Sequence, residues 1–397
     1  MLEQKIQVVE RQVYDVIVVG GGIAGVSAAV SSARMGKKTL LIEKQINLGG
    51  LATMGLISWY EPLCDGKGKQ MIGGMAEELI LLATKNSFDN LPEKWGGKSG
   101  NLSDNTRYAT YFSPTFFSLS LDGFVEESGA EILFDTYATY PVMEGQLCKG
   151  VITENADGRS FYPAKVVIDC TGDGSIFDRA GAETEFGENY LTYIVHETDY
   201  EKAKTYVETK DIVRLRSWKN SGSNLFGDGH PNGMRKLTAK TAQEINEYIS
   251  YGKRLMLQKY EKTNRFEREI LTLPTMPQFR VIRHIKGAYT FTGKELGVRF
   301  DDSIGSIGDF RHPGRHYHVP YRCIYNEKYP NLIAAGRIVS AEGDGMEVLR
   351  IIPSCALTGQ AAGIAASLAI DENISVAEVN VVELQNKLKG RNVLFED

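Results

Sequence analysis

At 397 residues the chain is long enough to bury a large core and to divide into two domains. Its 42% hydrophobic and 24% charged content excludes wholesale disorder, and its net charge of −5 gives no general attraction to nucleic acid or to an anionic membrane. The cysteines at 64, 148, 170, 323 and 355 form no C-x-x-C pair and no zinc spacing, which suits free thiols in a reducing compartment.

Met1 to Arg11 is polar and lacks the apolar core of a signal peptide. No stretch reads as long and apolar enough to span a bilayer; Ala356 to Ile370 comes nearest and falls short of the ~20 residues required. A cytoplasmic protein is the expectation.

Tyr14 to Val19 is a short, apolar, β-branched run, as expected of a strand buried on both faces. Gly20, Gly22 and Gly25 then make the spacing G-x-G-x-x-G. Ile23 to Met35 is rich in Ala and Ser and reads as a helix closed by Gly36, and Lys38 to Ile42 reads as a second strand ending at Glu43. The first glycine permits the tight turn, the second lets backbone approach a pyrophosphate, and the third brings the helix close to the sheet. The helix N-terminus offers unpaired N–H groups to phosphate. Glu43 follows Gly25 by 18 residues, the distance expected of a carboxylate that grips an adenosine ribose. Strand, glycine turn, helix, strand and acid in this order point to a bound dinucleotide.

Beyond Glu43 and Lys44, the run Leu48-Gly49-Gly50-Leu51-Ala52-Thr53 suggests backbone passing close to the same ligand. Trp59 to Arg107 is loop-rich around one helix, Met75 to Lys85, and Pro114 opens a helix to about Ser128. Glu131 to Thr136 reads as a strand. Tyr137 to Val142, Leu147 to Glu154 and Arg159 to Tyr162 then alternate as an antiparallel meander. Lys165 to Asp169 returns as a buried strand into a second glycine turn, Thr171-Gly172-Asp173-Gly174.

Residues 188–328 break this rhythm. The stretch 280–322 is dense in Arg, His and Asp, including Arg280, Asp302, Asp309, Arg311, His312, His316 and His318. The three clustered histidines match no standard zinc or iron spacing, so no metal is expected and a polar wall facing a substrate is favoured. Asn331 to Ala335 resumes as a buried strand ending at Gly336-Arg337. After Arg350, a helix of small residues opens at Pro353 and includes Gly359 and Gly363, and 376–389 forms a last amphipathic helix.

Together, the Gly20–Gly25 motif, Leu48-Gly49-Gly50, Thr171-Gly172-Asp173-Gly174, Gly336-Arg337, Arg350-x-x-Pro353 and Gly359-Gln360-Ala361-Ala362-Gly363 resemble the FAD-dependent oxidoreductases of the glutathione-reductase structural superfamily, most closely its fumarate-reductase-like group. The resemblance implies that Gly20, Gly22, Ile23, Ala24, Gly25, Glu43 and Lys44 hold the ADP half of FAD. By the same likeness, Gly49, Gly50, Leu51 and Thr53 lie beside the pyrophosphate and flavin, and Thr171, Gly172 and Asp173 close over the nucleotide. Gly336 and Arg337 reach the pyrophosphate or ribitol, and the helix of Pro353 and Gly359 aims its N-terminus at the flavin. A second G-x-G-x-x-G for a nicotinamide cofactor is missing, as is a redox cysteine pair.

The fold expected is α/β: a Rossmann-like FAD-binding domain, a parallel sheet with an antiparallel meander inserted, plus a second α+β substrate or cap domain. The first takes residues 12–58, 114–187 and 329–372, the second 59–113 and 188–328, and residues 373–397 pack a C-terminal helix on the first. The function expected is hydride transfer between a small polar or anionic substrate and flavin N5. His316 or His318 is the candidate acid/base and Arg311 or Arg350 the candidate anion clamp. The alternatives are an electron-transfer flavoprotein working with a partner redox protein, and an FAD protein of transfer RNA modification. A homo-oligomer is compatible with the sequence; nucleic acid and membrane are not expected as partners.

Overall fold

The computed structural model describes residues 5–97, 107–224 and 226–395. Its spine is the strand Gly158–Asp169, which belongs to two sheet regions at once. The C-terminal half of this strand runs parallel between Tyr14–Val19 and Leu332–Ala334. Thr39–Ile42 and Glu131–Leu133 extend the parallel sheet beyond Tyr14–Val19. The N-terminal half pairs antiparallel with Leu147–Asn155, which in turn pairs with Tyr137–Glu144. The strands expected separately at 159–162 and 165–169 are therefore one, continuous through Pro163. Proline interrupts the hydrogen-bond ladder, and it faces Gly150, where a Cβ would lie 2.1 Å from the Tyr162 carbonyl oxygen. Only glycine lets the two strands approach this closely at that point.

Across the parallel sheet the order is Glu131–Leu133, Thr39–Ile42, Tyr14–Val19, Gly158–Asp169, Leu332–Ala334. Chain order thus reverses between Tyr14–Val19 and Gly158–Asp169. Ligands of open α/β sheets bind beyond the carboxyl ends of the strands at such a reversal.

Two helices, Ile23–Ala33 and Ile352–Glu372, lie against each other beside this sheet. A Cβ on Gly359 would sit 2.2 Å from the Ala24 carbonyl oxygen, and one on Gly363 2.3 Å from that of Ala28. The small residues of the long helix are therefore what lets two backbones touch. At 21 residues this helix is long and apolar enough to cross a membrane by length and composition, which corrects the expectation that no such stretch exists. Residues 353–369 of it are all buried in protein, so its composition is that of a core helix.

The helix Met75–Lys85 packs on this same long helix, where Gln360 Oε1 accepts from the Met75 N–H at 2.9 Å. A smaller α+β unit stands apart from the main sheet. Thr192–Asp199 is its central strand, flanked antiparallel by Ser217–Gly222 and Arg268–Thr272. The helix Ala242–Glu261, N-capped by Thr241, covers it through Met256 and Tyr260 against Tyr193 and Val195. The single helix expected over 376–389 is a turn, Val376–Glu378, followed by the helix Val381–Lys389, because Asn380 caps a new start.

Candidate active site

The carboxyl ends of Tyr14–Val19 and Gly158–Asp169 open into a cavity of about 330 Å³. Gly20 adopts φ +99°, and a Cβ there would lie 2.5 Å from the Cys170 carbonyl oxygen, so the two strand ends meet only through glycine. Gly25 lets the helix start turn back on the strand: its Cβ would fall 1.8 Å from the Gly20 carbonyl oxygen. Gly22 is different. Its backbone is ordinary extended chain, and a Cβ there would meet nothing within 4 Å, only the cavity it lines.

Two buried carboxylates hold the turns around this cradle. Glu43 accepts from the Gly21 N–H at 2.6 Å and the Gln45 N–H at 2.9 Å, and still lines the cavity. Asp169 accepts from the Thr171 N–H and hydroxyl with one oxygen, and from the Ile176 and Phe177 N–H groups with the other. The second glycine turn, Thr171 to Gly174, is thereby fixed over the cavity. Arg337 reaches in beside Gly172 and donates to the carbonyl oxygen of Phe279 at 2.5 Å. Among the described residues its guanidinium has no carboxylate within salt-bridge distance, and burial pulls its pKa down. An open glycine cradle, a carboxylate at the end of the second strand and a half-buried guanidinium without an ion pair among the described residues fit a dinucleotide pyrophosphate.

The far end of the same cavity is built differently. Trp59, Glu61, Trp218, Arg280, Phe310 and Arg350 line it. Trp59 Nε1–H donates to Glu61 Oε2 at 3.2 Å. Burial pushes the Glu61 carboxyl up to about 7, against the opposing pull of Arg107, Arg350 and Arg280. Arg350 forms a two-point ion pair with Glu347. The Arg280 guanidinium has no hydrogen bond and no ion pair among the described residues, and burial lowers its pKa. Behind Trp218, its indole N–H donates to Ser58 Oγ at 3.0 Å, and Ser58 lies 3.3 Å from Nε2 of the fully buried His196. Burial pushes His196 down to about 4, so the imidazole is neutral, and its contact with Ser58 Oγ helps hold the hydroxyl that orients the indole.

Of the residues singled out from sequence, Gly20, Gly22, Ile23, Ala24, Glu43, Lys44, Gly49, Gly50, Leu51, Thr171, Gly172, Asp173, Gly336, Arg337 and Arg350 are brought together as lining of one cavity. Gly25, Thr53, Pro353 and Gly359 are not among that lining. Gly25 and Gly359 serve close backbone packing, and Thr53 is buried with its hydroxyl on the Leu48 carbonyl oxygen. Pro353 lies in the first turn of its helix, where Ile351, Ile352 and Cys355 reach the cavity instead.

Three of the four candidate catalytic residues lie elsewhere. Arg311 is ion-paired with Asp309 at 3.3 Å and Asp344 at 2.9 Å, and His312 Nδ1 shares Asp309 at 2.9 Å. His316 and His318 stand on the strand His316–Pro320, paired with Ser303–Gly308 rather than with the cavity. Within 309–318, Arg311 and His312 are both paired with Asp309. Only Phe310 of that stretch lines the cavity. Trp59, Glu61 and Trp218 carry no local motif that marks them in the sequence.

The FAD dependent oxidoreductase family profile matches residues 15–212 and 192–388. The tRNA uridine 5-carboxymethylaminomethyl modification enzyme MnmG of Aliarcobacter butzleri is 35% identical over 127 residues, covering 32% of this chain and 16% of that protein. The MnmG of Bacillus mycoides is 31% identical over 175 residues, covering 40% and 24%. The chain therefore spans about a quarter or less of the length of these curated relatives. Among solved structures, a geranylgeranyl bacteriochlorophyll reductase-like protein from Thermoplasma acidophilum is 16% identical with a TM-score of 0.48, covering 96% of this chain and 84% of that one. The L-proline dehydrogenase from P. horikoshii is 13% identical with a TM-score of 0.40, covering 96% and 98%. With its family match running from the first strand to the last helix, this chain belongs to the FAD dependent oxidoreductase family.

Proposed function

We propose that the protein moves a hydride between a small polar or anionic organic substrate and N5 of its FAD, with Glu61 as the group that exchanges the accompanying proton. Bound FAD supplies the two-electron chemistry. The observation that carries the reading is Glu61, a half-buried carboxyl pushed up to about 7, which suits proton transfer near neutrality, in the cavity that also holds the glycine cradle. With FAD held by the glycine cradle and Arg337, which would supply the hydride acceptor in substrate oxidation, Glu61 takes the proton of the neighbouring O–H or N–H group and returns it in the reverse direction. Trp59, Trp218 and Phe310 exclude water from this end, and Arg280 and Arg350 complement negative charge on the substrate.

The test is an anaerobic screen of organic donors, read as bleaching of the flavin absorbance. Glu61→Gln is expected to slow bleaching by roughly 10²–10⁴-fold while leaving flavin content unchanged. Colourless protein, or a Glu61→Gln rate equal to wild type, sinks the proposal. The likeness to MnmG supports a second reading, an FAD protein acting in transfer RNA modification. The net charge of −5 favours the small-molecule reading, and a salt-dependent RNA-binding assay separates the two.

A further inference from the structure

A second cavity, of about 200 Å³, adjoins the first and shares Gln278, Arg280 and Arg350 with it. It is polar where the first is largely apolar. Its charged groups are mostly paired already: Glu347 holds Arg350, and Glu188 lies 3.6 Å from Lys236. Its Tyr248 hydroxyl donates to the carbonyl oxygens of Thr192 and Gln278. The Asn189 side chain is committed to backbone groups of Leu237, Arg280 and Val281. Among the described residues, the charged group shared by the two cavities that makes no hydrogen bond or ion pair is the Arg280 guanidinium, which feels Glu347 and Glu61 only at longer range.

We infer that this second cavity is the subsite for a carboxylate on the substrate, bound by Arg280, and that the substrate's apolar body extends from it toward Trp59, Trp218 and Phe310. The inference rests on the redox reading above and names its substrate class. Arg280 is half-buried and its guanidinium lines both cavities without a hydrogen bond or ion pair among the described residues; its planar fork matches a carboxylate with two parallel hydrogen bonds. One surplus positive charge suits a monoanion better than a phosphate monoester, which carries about −1.5 to −2. The aromatic wall beyond Arg280 supplies contact area for a ring or an alkyl chain, not for a second charge.

The experiment titrates the purified holoprotein with benzoate, phenylacetate and hydrocinnamate, with their primary amides, and with phenyl phosphate. Binding is read both by flavin absorbance and by tryptophan fluorescence, so that absence of flavin does not silence it. At least one acid is expected to bind saturably, and its amide to bind roughly 30-fold or more weakly. Arg280→Gln is expected to abolish that preference for acid over amide, and Arg280→Lys to restore part of it; circular dichroism and thermal midpoint check that both variants are folded. Equal binding of acid and amide, tighter binding of phenyl phosphate, an unchanged preference in Arg280→Gln, or no binding by any of the acids would each overturn the inference. The redox reading fails by a different sign: a protein without flavin, or a flavin that no organic donor reduces. A flavin reduced by neutral donors as readily as by acidic ones leaves that reading intact and removes the carboxylate subsite alone.

Discussion

At the nucleotide end of the cavity, Glu43 and Asp169 have both carboxylate oxygens occupied by donors of the turns they support, whereas at the far end the Arg280 guanidinium makes no hydrogen bond or ion pair among the described residues. The nucleotide end is made of backbone, held rigid by Gly20 and Gly25, which no other residue can replace without collision. The far end is made of side chains from separate segments, one with a pKa shifted to about 7 by burial. Groups of the first kind are satisfied within the fold, so their removal damages the fold. Groups of the second kind are held ready for something outside it, so their removal changes ligand binding and chemistry with little structural loss.

The strongest way to test that contrast is at Gly25. Gly25→Ala places a methyl group 1.8 Å from the Gly20 carbonyl oxygen and is expected to cost about 3 kcal/mol or more, read as a large fall in thermal midpoint and soluble yield. An unchanged midpoint would mean the turn is not the rigid element described. Asp169→Ala ranks next: it leaves the N–H groups of Thr171, Ile176 and Phe177 without their acceptor, at an expected cost of about 2–5 kcal/mol in denaturant unfolding.

At the far end the expected sign is opposite. Glu61 keeps its proton to about pH 7 in the folded chain but loses it near its ordinary 4.5 when unfolded. The native state therefore binds more protons between those values, and stability falls as pH rises from about 4.5 through 7. Glu61→Gln removes that penalty. The variant should match wild type at pH 4 and exceed it above pH 8, by on the order of 2–3 kcal/mol. Equal pH dependence of the two proteins would contradict the burial-shifted carboxyl. The smallest effect is expected at His316, outside both ends of the cavity. His316→Ala should leave flavin content unaltered and stability within about 0.5 kcal/mol, and a tenfold loss of turnover would return that residue to the site.

The same contrast explains what could be read in the chain before its structure. The cradle was legible because consecutive residues build it: Gly20 to Gly25, Thr171 to Gly174 and Gly336-Arg337 each complete a turn within a few positions. Parallel strand order follows from those turns and the helices after them. Glu61, Trp218 and Arg280 share no spacing, because the strand Ser217–Gly222 and the segments around 61 and 280 meet only in three dimensions. Of the charged residues at 311–318, Arg311 and His312 are drawn into ion pairs with Asp309 and Asp344, a local pairing that proximity in sequence does not distinguish from a site. A glycine beside a cofactor and a glycine beside a helix backbone look alike in sequence, and at Gly359 it is Ala24 that stands against it.

The central claim, that FAD lies in the backbone cradle at the sheet reversal, is tested most directly at Gly22. This glycine alone of the motif leaves room for a side chain in the protein while lining the cavity. The measurement is the flavin-to-protein absorbance ratio of purified Gly22→Val beside that of wild type, with circular dichroism recorded on both samples. A folded but colourless variant next to a yellow wild type is the expected result. A Gly22→Val protein that carries as much flavin as wild type would place the cofactor elsewhere and contradict the account.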